Sequence, residues 1–312
     1  GRAVACGENL AGQCDLPEPE AGMGYSQVSA GSNHTVLLRN DGRVDACGCN
    51  LDGQCDIPVT EADVTYVMVS AGSSHTVLLR SDGRAIACGT NTEAQCRPPE
   101  PEAGAGYVQA SAGLNHTVLL RNDGRVLACG DNSHGQSSLP AGGTYVQVAA
   151  GSRHTVLLRN DGRVDACGCN LDGQCDIPVT EADVTYVMVS AGSSHTVLLR
   201  SDGRAVTCGS NAYGQCDLPL PEEGVRYRPG LAFRDHVVQL LVEGSPNARA
   251  VVCRSLAGNV LGSWTAGEVD PNSSVLRHVK QEVIRPCTRL HIVAPDGGLL
   301  TWPTKWAELF AA

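Results

Sequence analysis

One ten-residue stretch recurs along most of the chain and constrains the fold more than any other feature. It reads His-Thr-Val-Leu-Leu-Arg-Asn-Asp-Gly-Arg at residues 34–43. The spacings between successive copies are 41, 41, 38, 41 and 41 residues. Near-identical copies begin at His75, His116, His154 and His195, and a diverged copy begins at His236. The first 244 residues or so are therefore one unit repeated six times.

Each unit predicts short strands and no helix. Thr-Val-Leu-Leu is too short for a helix, and an Asp-Gly pair separates it from a second apolar run, which predicts a hairpin with a type I′ turn. A Gly-x-Asn-x-x-Gly-Gln loop and a Tyr-Val-x-Val-Ser-Ala-Gly strand follow. A period of about 40 residues with three or four short strands is typical of a propeller blade. The five expected turns are Asp41-Gly42, Asp82-Gly83, Asp123-Gly124, Asp161-Gly162 and Asp202-Gly203.

The phase of the repeat predicts how the ring closes. The chain begins inside a unit, at residues 1–7, and the sixth unit stops at Gly244 after the first half of its hairpin. Strands from the two termini would complete one shared blade and remove the open sheet edges. We therefore predict an all-β, six-bladed β-propeller closed by strands from both termini, spanning residues 1–244. The alternative is that Gly1 marks a fragment that has lost an upstream blade.

The periodicity stops near residue 245, and the last segment predicts a different structure. Residues 250–256 and 259–264 are expected to pair as strands, residues 275–284 to form a helix, and residues 289–293 to form a third strand. This order is similar to a ubiquitin-like β-grasp. Residues 245–312 are therefore predicted to be a small α+β segment, possibly incomplete, in which Gly297-Gly298 is internal.

Charge and hydropathy exclude several classes of function. The net charge is −10 with no basic run, which argues against nucleic acid and against an anionic membrane surface as partners. No apolar run approaches the roughly 18 residues that span a bilayer. Without a visible signal-peptide pattern, a cytoplasmic or nuclear location is favoured.

The 15 cysteines admit three interpretations. Most are separated by seven intervening residues from another cysteine of the same unit, which would suit a disulfide in each blade. Against this, Ser137 stands where the fourth unit's second cysteine is expected, and the total is odd. A metal site from Cys47, Cys49, Cys55 and His75 is a minor alternative. Free cysteines that act as small buried hydrophobes are the main expectation.

The unit pattern resembles a known repeat. Gly-x-Asn-x-x-Gly-Gln followed by Ala-Gly-x-x-His is similar to the regulator-of-chromosome-condensation repeat, across residues 1–244. This resemblance implies a β-propeller with closure across the termini. It also implies the family's range of roles, which includes guanine-nucleotide exchange on a small GTPase and accessory propellers of ubiquitin ligases. The units here are short and lack the protruding wedge that exchange requires.

No catalytic, cofactor-binding or metal-binding constellation stands out by spacing, so we expect a protein that is not an enzyme and needs no cofactor. The unit histidines are expected to be structural and to satisfy backbone groups between blades. The unit tyrosines are expected to be packing residues with a tethered hydroxyl. Two loop positions vary among units, before each histidine and after each Gly-x-Asn. Both should lie at the end of the blade opposite the Asp-Gly turns, where they would form a partner-binding face or simply reflect drift. The candidate residues of this face are Leu114, His134, Arg153, Tyr213 and Arg234.

The function predicted from the sequence is a non-catalytic scaffold that presents this loop-lined face to another protein. The alternatives are a guanine-nucleotide exchange factor for a small GTPase and an accessory propeller of a ubiquitin ligase.

Overall fold

Five three-stranded antiparallel sheets, one in each of five consecutive units, form the body of the protein. The computed structural model describes residues 3–218, together with the backbone of five strands between residues 238 and 301. Each sheet has an inner strand that starts at the unit tyrosine, a middle strand that starts at the unit histidine, and an outer strand that ends at a glycine. The strands are β1 (Tyr25–Ala30), β2 (His34–Arg39), β3 (Val44–Gly48), β4 (Tyr66–Ala71), β5 (His75–Arg80), β6 (Ala85–Gly89), β7 (Tyr107–Ala112), β8 (His116–Arg121), β9 (Val126–Gly130), β10 (Tyr145–Ala150), β11 (His154–Arg159), β12 (Val164–Gly168), β13 (Tyr186–Ala191), β14 (His195–Arg200) and β15 (Ala205–Gly209).

The hairpins predicted around Asp-Gly are confirmed, but the predicted type I′ turn is wrong. In the first hairpin the Arg39 amide donates to the Arg43 carbonyl, so three residues form the loop. The Gly42 amide donates back to Arg39, and only the glycine of the Asp-Gly pair has a positive φ, of 79°. This is a type I turn followed by a left-handed glycine. The Asp41 carboxylate accepts the Arg43 amide at 3.1 Å and so favours this turn.

The hydrophobic core lies between neighbouring sheets rather than within one layer. Val36 and Leu38 of one middle strand pack against Tyr66, Val69 and Leu78 of the next sheet, and the same set recurs at each following pair of sheets. Because side chains alternate along a strand, a Val-Leu-Leu run supplies both faces of the middle strand. A continuous apolar run in the sequence is therefore required for a strand that is buried on both sides.

Polar side chains bridge the inner strands of neighbouring sheets. The Gln27 side chain accepts the Val69 amide and donates to the Val69 carbonyl, both at 3.1 Å. The Ser29 hydroxyl accepts the Ala71 amide at 2.9 Å. Equivalent bridges recur in later units. The inner strands thus converge without pairing backbone to backbone, which is consistent with a β-propeller.

The structure does not confirm the predicted closure. Strand β16 (Val238–Glu243) pairs along its whole length with β17 (Ala250–Ser255). Residues 3–6, its expected partner, belong to no strand. Ala3 does pack against the first sheet, beside Tyr25, Val28 and Leu37. The number of blades and the domain boundary at residue 244 stay predictions.

The three strands predicted beyond residue 245 are present in the structure. Strand β17 pairs with β18 (Val260–Thr265), as expected for residues 250–256 and 259–264. Strand β19 (His291–Val293), within the strand predicted at residues 289–293, pairs with β20 (Leu299–Thr301). The helix predicted for residues 275–284 lies outside the described residues, so the structure gives no support to a ubiquitin-like segment.

Candidate functional site

The two variable loop positions of each unit meet at one end of the sheets. In the first sheet the amide of Cys49, which follows the outer strand, donates to the carbonyl of Asn33, which precedes the histidine, at 2.7 Å. The same bond recurs in the other four sheets. At the opposite end the Tyr66 amide donates to the Gly42 carbonyl of the hairpin turn. We call the two ends the histidine end and the turn end, and the predicted opposition of loops and turns is confirmed.

Side-chain hydrogen bonds fix the shape of each loop at the histidine end. In the loop of residues 49–56, the side-chain oxygen Oδ1 of Asn50 accepts a hydrogen bond from the Cys55 amide at 2.8 Å. The Gln54 side chain is buried and accepts the Asp52 amide at 3.0 Å. Gly53 takes a φ of 79° between them. The Gly-x-Asn-x-x-Gly-Gln motif is thus a rigid frame that turns the two residues after Asn toward solvent.

One loop departs from the frame and provides a test of it. Ala94 stands where the equivalent loops have glycine, and it is held at a φ of 62°. A left-handed conformation costs an L-residue about 1–2 kcal/mol, against about 0.5–1 kcal/mol of extra chain entropy lost by glycine. We expect Ala94→Gly to stabilise the protein by about 0.5–1 kcal/mol in urea unfolding. Ala212→Gly, in an equivalent loop without a positive φ, should destabilise it by about 0.5 kcal/mol, and stabilisation by both changes would contradict the argument.

The unit histidines link each sheet to the next. His34 Nε2 lies 3.0 Å from the Thr76 hydroxyl of the following sheet. Thr76 donates its only proton to the Gln54 carbonyl at 2.7 Å, so the histidine must donate from Nε2. Three further histidines make the same contact. Burial lowers the pKa of His34 and of His154 to about 4, which keeps both rings neutral.

The histidines and tyrosines are therefore structural, as the sequence predicted. His34, His75, His116 and His154 each bond a Thr hydroxyl of a neighbouring sheet, rather than the backbone groups that were expected. The tyrosine hydroxyls donate to nearby acceptors in the same way: Tyr66 to the Pro58 carbonyl at 2.6 Å and Tyr145 to the Asp165 carboxylate at 2.8 Å. Burial, the largest cause, raises the pKa of Tyr66 to about 12. Tyr227 and His236 lie outside the described residues.

The cysteines from Cys47 to Cys216 are free thiols, as predicted, but they are half-buried rather than buried. The Cys88 thiol donates to the Gln54 carbonyl and the Cys96 thiol to the Thr90 carbonyl. Ser137 replaces a cysteine in the equivalent loop, and its hydroxyl donates to the Asp131 backbone carbonyl at the equivalent position. Burial raises the pKa of Cys88 to about 12, which suppresses the reactive thiolate. Across residues 3–218, no three His, Cys, Asp or Glu side chains converge as metal ligands would.

Three of the five candidate residues of the face are exposed at the histidine end. His134, Arg153 and Tyr213 are exposed, whereas Leu114 is half-buried and its amide donates to the Ser152 carbonyl of the next sheet. The fifth, Arg234, lies outside the described residues. The structure thus places three of these side chains on one face and does not test what they bind.

The sequence reasoning overlooked the leucines at the tips of these loops. Leu10, Leu51 and Leu171 occupy the same loop position and are 90%, 92% and 89% exposed, and Tyr213 one position further on is 91% exposed. Their signal was present in the sequence, because all three leucines follow the motif Asn directly.

Among the described residues, no helix is both long and apolar enough to pass through a bilayer.

The repeats match a known family model. The match covers residues 25–54, 67–95, 107–136, 145–174 and 187–215, and the model describes the regulator of chromosome condensation (RCC1) repeat. Five segments of the chain thus match the RCC1 repeat. Each matched segment begins at or next to the unit tyrosine and ends in the loop at the histidine end, so the repeat coincides with one sheet and its loop. None of the curated proteins matches the chain in sequence.

Solved structures support an RCC1-type propeller. Human WBSCR16 is 17% identical with a TM-score of 0.60, covering 86% of this chain and 94% of that chain. Prp20p from Saccharomyces cerevisiae is 15% identical with a TM-score of 0.59, covering 84% and 85%. The CRINKLY WD40 ectodomain of the Arabidopsis thaliana receptor kinase ACR4 is 21% identical with a TM-score of 0.59, covering 82% and 87%. At these identities the RCC1-type similarity shows the fold alone.

Proposed function

We propose that this RCC1-repeat chain is a non-catalytic module that binds another protein through the loops of its histidine end. The observation that carries the proposal is the contrast within each loop. Asn side chains and Gln side chains hold the backbone of these loops in one shape. The two residues after Asn face solvent and occur as five different pairs in the six loops, since only Leu51-Asp52 and Leu171-Asp172 are the same. Variable side chains on a rigid frame are the usual basis of binding specificity.

Closure into six blades would make this face a ring, and we propose that closure as well. Its support is the packing of the N-terminus. Ala3 lies against Tyr25, Val28 and Leu37 of the first sheet, much as Val44 lies against the equivalent residues of the second sheet. Residues 3–6 would then serve as the outer strand of a blade whose other strands come from the sixth unit.

Two other functions remain as alternatives. The similar protein Prp20p is described together with its binding properties to Gsp1p and histones, but the likeness extends to the fold alone. A guanine-nucleotide exchange factor would need a protruding wedge, and the units here have a period of about 40 residues without such an insertion. An accessory role in a ubiquitin ligase predicts a ligase subunit among the bound proteins.

The experiment is affinity purification of the full chain with mass spectrometry. The test variant combines His134→Ala, Arg153→Ala and Tyr213→Ser. The control combines Val59→Ser and Val179→Ser, each 98% exposed, in the segments that connect the loops to the next inner strand. We expect one or more partners to be lost, by about tenfold or more, from the test variant and retained by the control. If both variants retain the same set of bound proteins, the proposal that these loops form the binding face is refuted.

A further inference from the structure

The apolar tips of the histidine end form an exposed set on one face. Leu10, Leu51, Leu171 and Tyr213 are each about nine-tenths exposed. Exposed leucines scattered over a surface need no explanation, but a set at one loop position on one face indicates a contact surface. The loop hydrogen bonds hold these tips in place, so little conformational freedom is lost when they are covered.

Unneutralised carboxylates surround these tips. Within residues 3–218, the six loops at the histidine end and the residues before the histidines contain nine carboxylates against two arginines, Arg97 and Arg153. None of the nine takes part in an ion pair within residues 3–218. The nine are Glu8, Asp15, Asp52, Asp56, Glu93, Asp131, Asp172, Asp176 and Asp217.

The turn end has the opposite arrangement. Arginines at the ends of the middle strands pair with the carboxylates there, as Arg80 does with Glu61 and Asp82. Arg39 and Arg200 each pair with the Asp of their own turn in the same way. Carboxylates at the turn end therefore form ion pairs with arginines, whereas the nine carboxylates at the histidine end do not, although both ends contain many acidic residues.

We infer that the histidine end docks a cationic segment of a partner protein, one that carries lysine or arginine together with apolar side chains. This inference rests on the proposed function and names its partner class. Lysine or arginine would pair with carboxylates such as Asp52 and Asp172, which directly follow Leu51 and Leu171, while apolar side chains would cover those leucines. Nucleic acid and anionic lipid are repelled by this charge, and a second copy would bring like charges together.

Peptide binding by the full chain tests this inference. The probe is a short peptide of lysine, leucine and serine, compared with a version in which glutamate replaces lysine and one in which serine replaces leucine. We expect the lysine–leucine peptide alone to bind, with affinity that falls as salt increases. A triple variant, Asp52→Asn, Glu93→Gln and Asp172→Asn, should bind about tenfold more weakly, which corresponds to about 1.4 kcal/mol.

Two matched variants separate the face from overall charge. Glu61→Gln, Glu100→Gln and Glu181→Gln remove the same charge at the turn end and should leave the affinity within about twofold, since exposed ion pairs contribute little. Leu10→Ser, Leu51→Ser and Leu171→Ser keep the charge and should weaken binding. Equal losses from both charge variants, equal binding of all three peptides, or self-association of the chain that depends on the leucines would overturn the inference.

The inference and the proposed function can fail separately. If the affinity purification yields partners that depend on His134, Arg153 and Tyr213 while the basic peptide does not bind, the histidine end binds a partner that is not a cationic segment. If neither experiment depends on the histidine end, both proposals fail.

Discussion

At pH 5 the protein is expected to be about 4 kcal/mol less stable to unfolding than at pH 7, through two buried histidines alone. Burial lowers the pKa of His34 and His154 to about 4 in the folded state, from 6.5 in the unfolded chain. Between these values the unfolded state binds more protons than the folded state. Stability is therefore complete above pH 6.5 and is lost as the pH falls toward 4, by about 2 kcal/mol per histidine at pH 5.

Carboxylates do not obscure this pH window. The hydrogen bond from the Arg43 amide is the largest factor that lowers the pKa of Asp41, and the neighbouring Arg39 lowers it further. A carboxyl whose folded pKa is depressed keeps its contribution until the pH falls below its ordinary value near 4. Loss of stability between pH 7 and pH 5 is accordingly assigned to histidine.

Urea unfolding of a histidine variant at both pH values measures the effect. In His154→Gln the amide can still donate to the Thr196 hydroxyl, which lies 3.0 Å from His154 Nε2, but it does not titrate. The difference between pH 7 and pH 5 should shrink by about 2 kcal/mol. His134→Gln, at an exposed histidine bonded to Ser133, serves as the control. An unchanged pH difference in the His154 variant would show that its burial does not control acid stability.

The sequence predicted the regular parts of the fold because they depend on short-range patterns. The period, the hairpins and the placement of loops and turns at opposite ends all follow from one stretch of ten residues and its spacing. The predicted turn type was wrong because an Asp-Gly pair fits both a type I′ turn and a type I turn followed by a left-handed glycine. The pairing of Arg39 with Arg43, which adds a third loop residue, selects between them. Sequence proximity alone does not give this register.

Contacts between units were harder to predict. The histidines were expected to bond between blades, but their acceptor, the threonine that directly follows the next histidine, was not identified. The fixed His-Thr pair in five units was its signal. The sixth unit has Val237 in place of that threonine. Pattern alone therefore does not determine how the ring closes.

The largest single-residue effect is expected at the glycine that precedes each histidine by three positions. In Gly151→Ala, the added Cβ would lie 2.2 Å from His154 Cε1 and 2.6 Å from the Gly192 carbonyl oxygen of the next sheet. The ring can move aside only by losing the hydrogen bond between its Nε2 and Thr196. Overpacking of about 1–3 kcal/mol and a lost hydrogen bond of about 1 kcal/mol add up to destabilisation of about 3 kcal/mol.

The control for this change is a glycine with space around it. Gly142 has a φ of +81° and no atom within 4 Å of an added Cβ. Gly142→Ala should cost only the backbone strain of a left-handed alanine, about 1–2 kcal/mol. Chemical denaturation of both variants gives the comparison, and a Gly151 variant no less stable than the Gly142 variant would remove the steric argument.

A double mutant then identifies the group that causes the clash. His154→Ala alone destabilises the protein, because it removes the bond to Thr196 and leaves a cavity. If the imidazole ring is the main obstacle, Gly151→Ala should destabilise the His154→Ala protein by about 1 kcal/mol less than it destabilises the wild type. If the cost is unchanged, the Gly192 carbonyl is the obstacle, and the glycine is required by the close approach of two sheets rather than by the histidine between them.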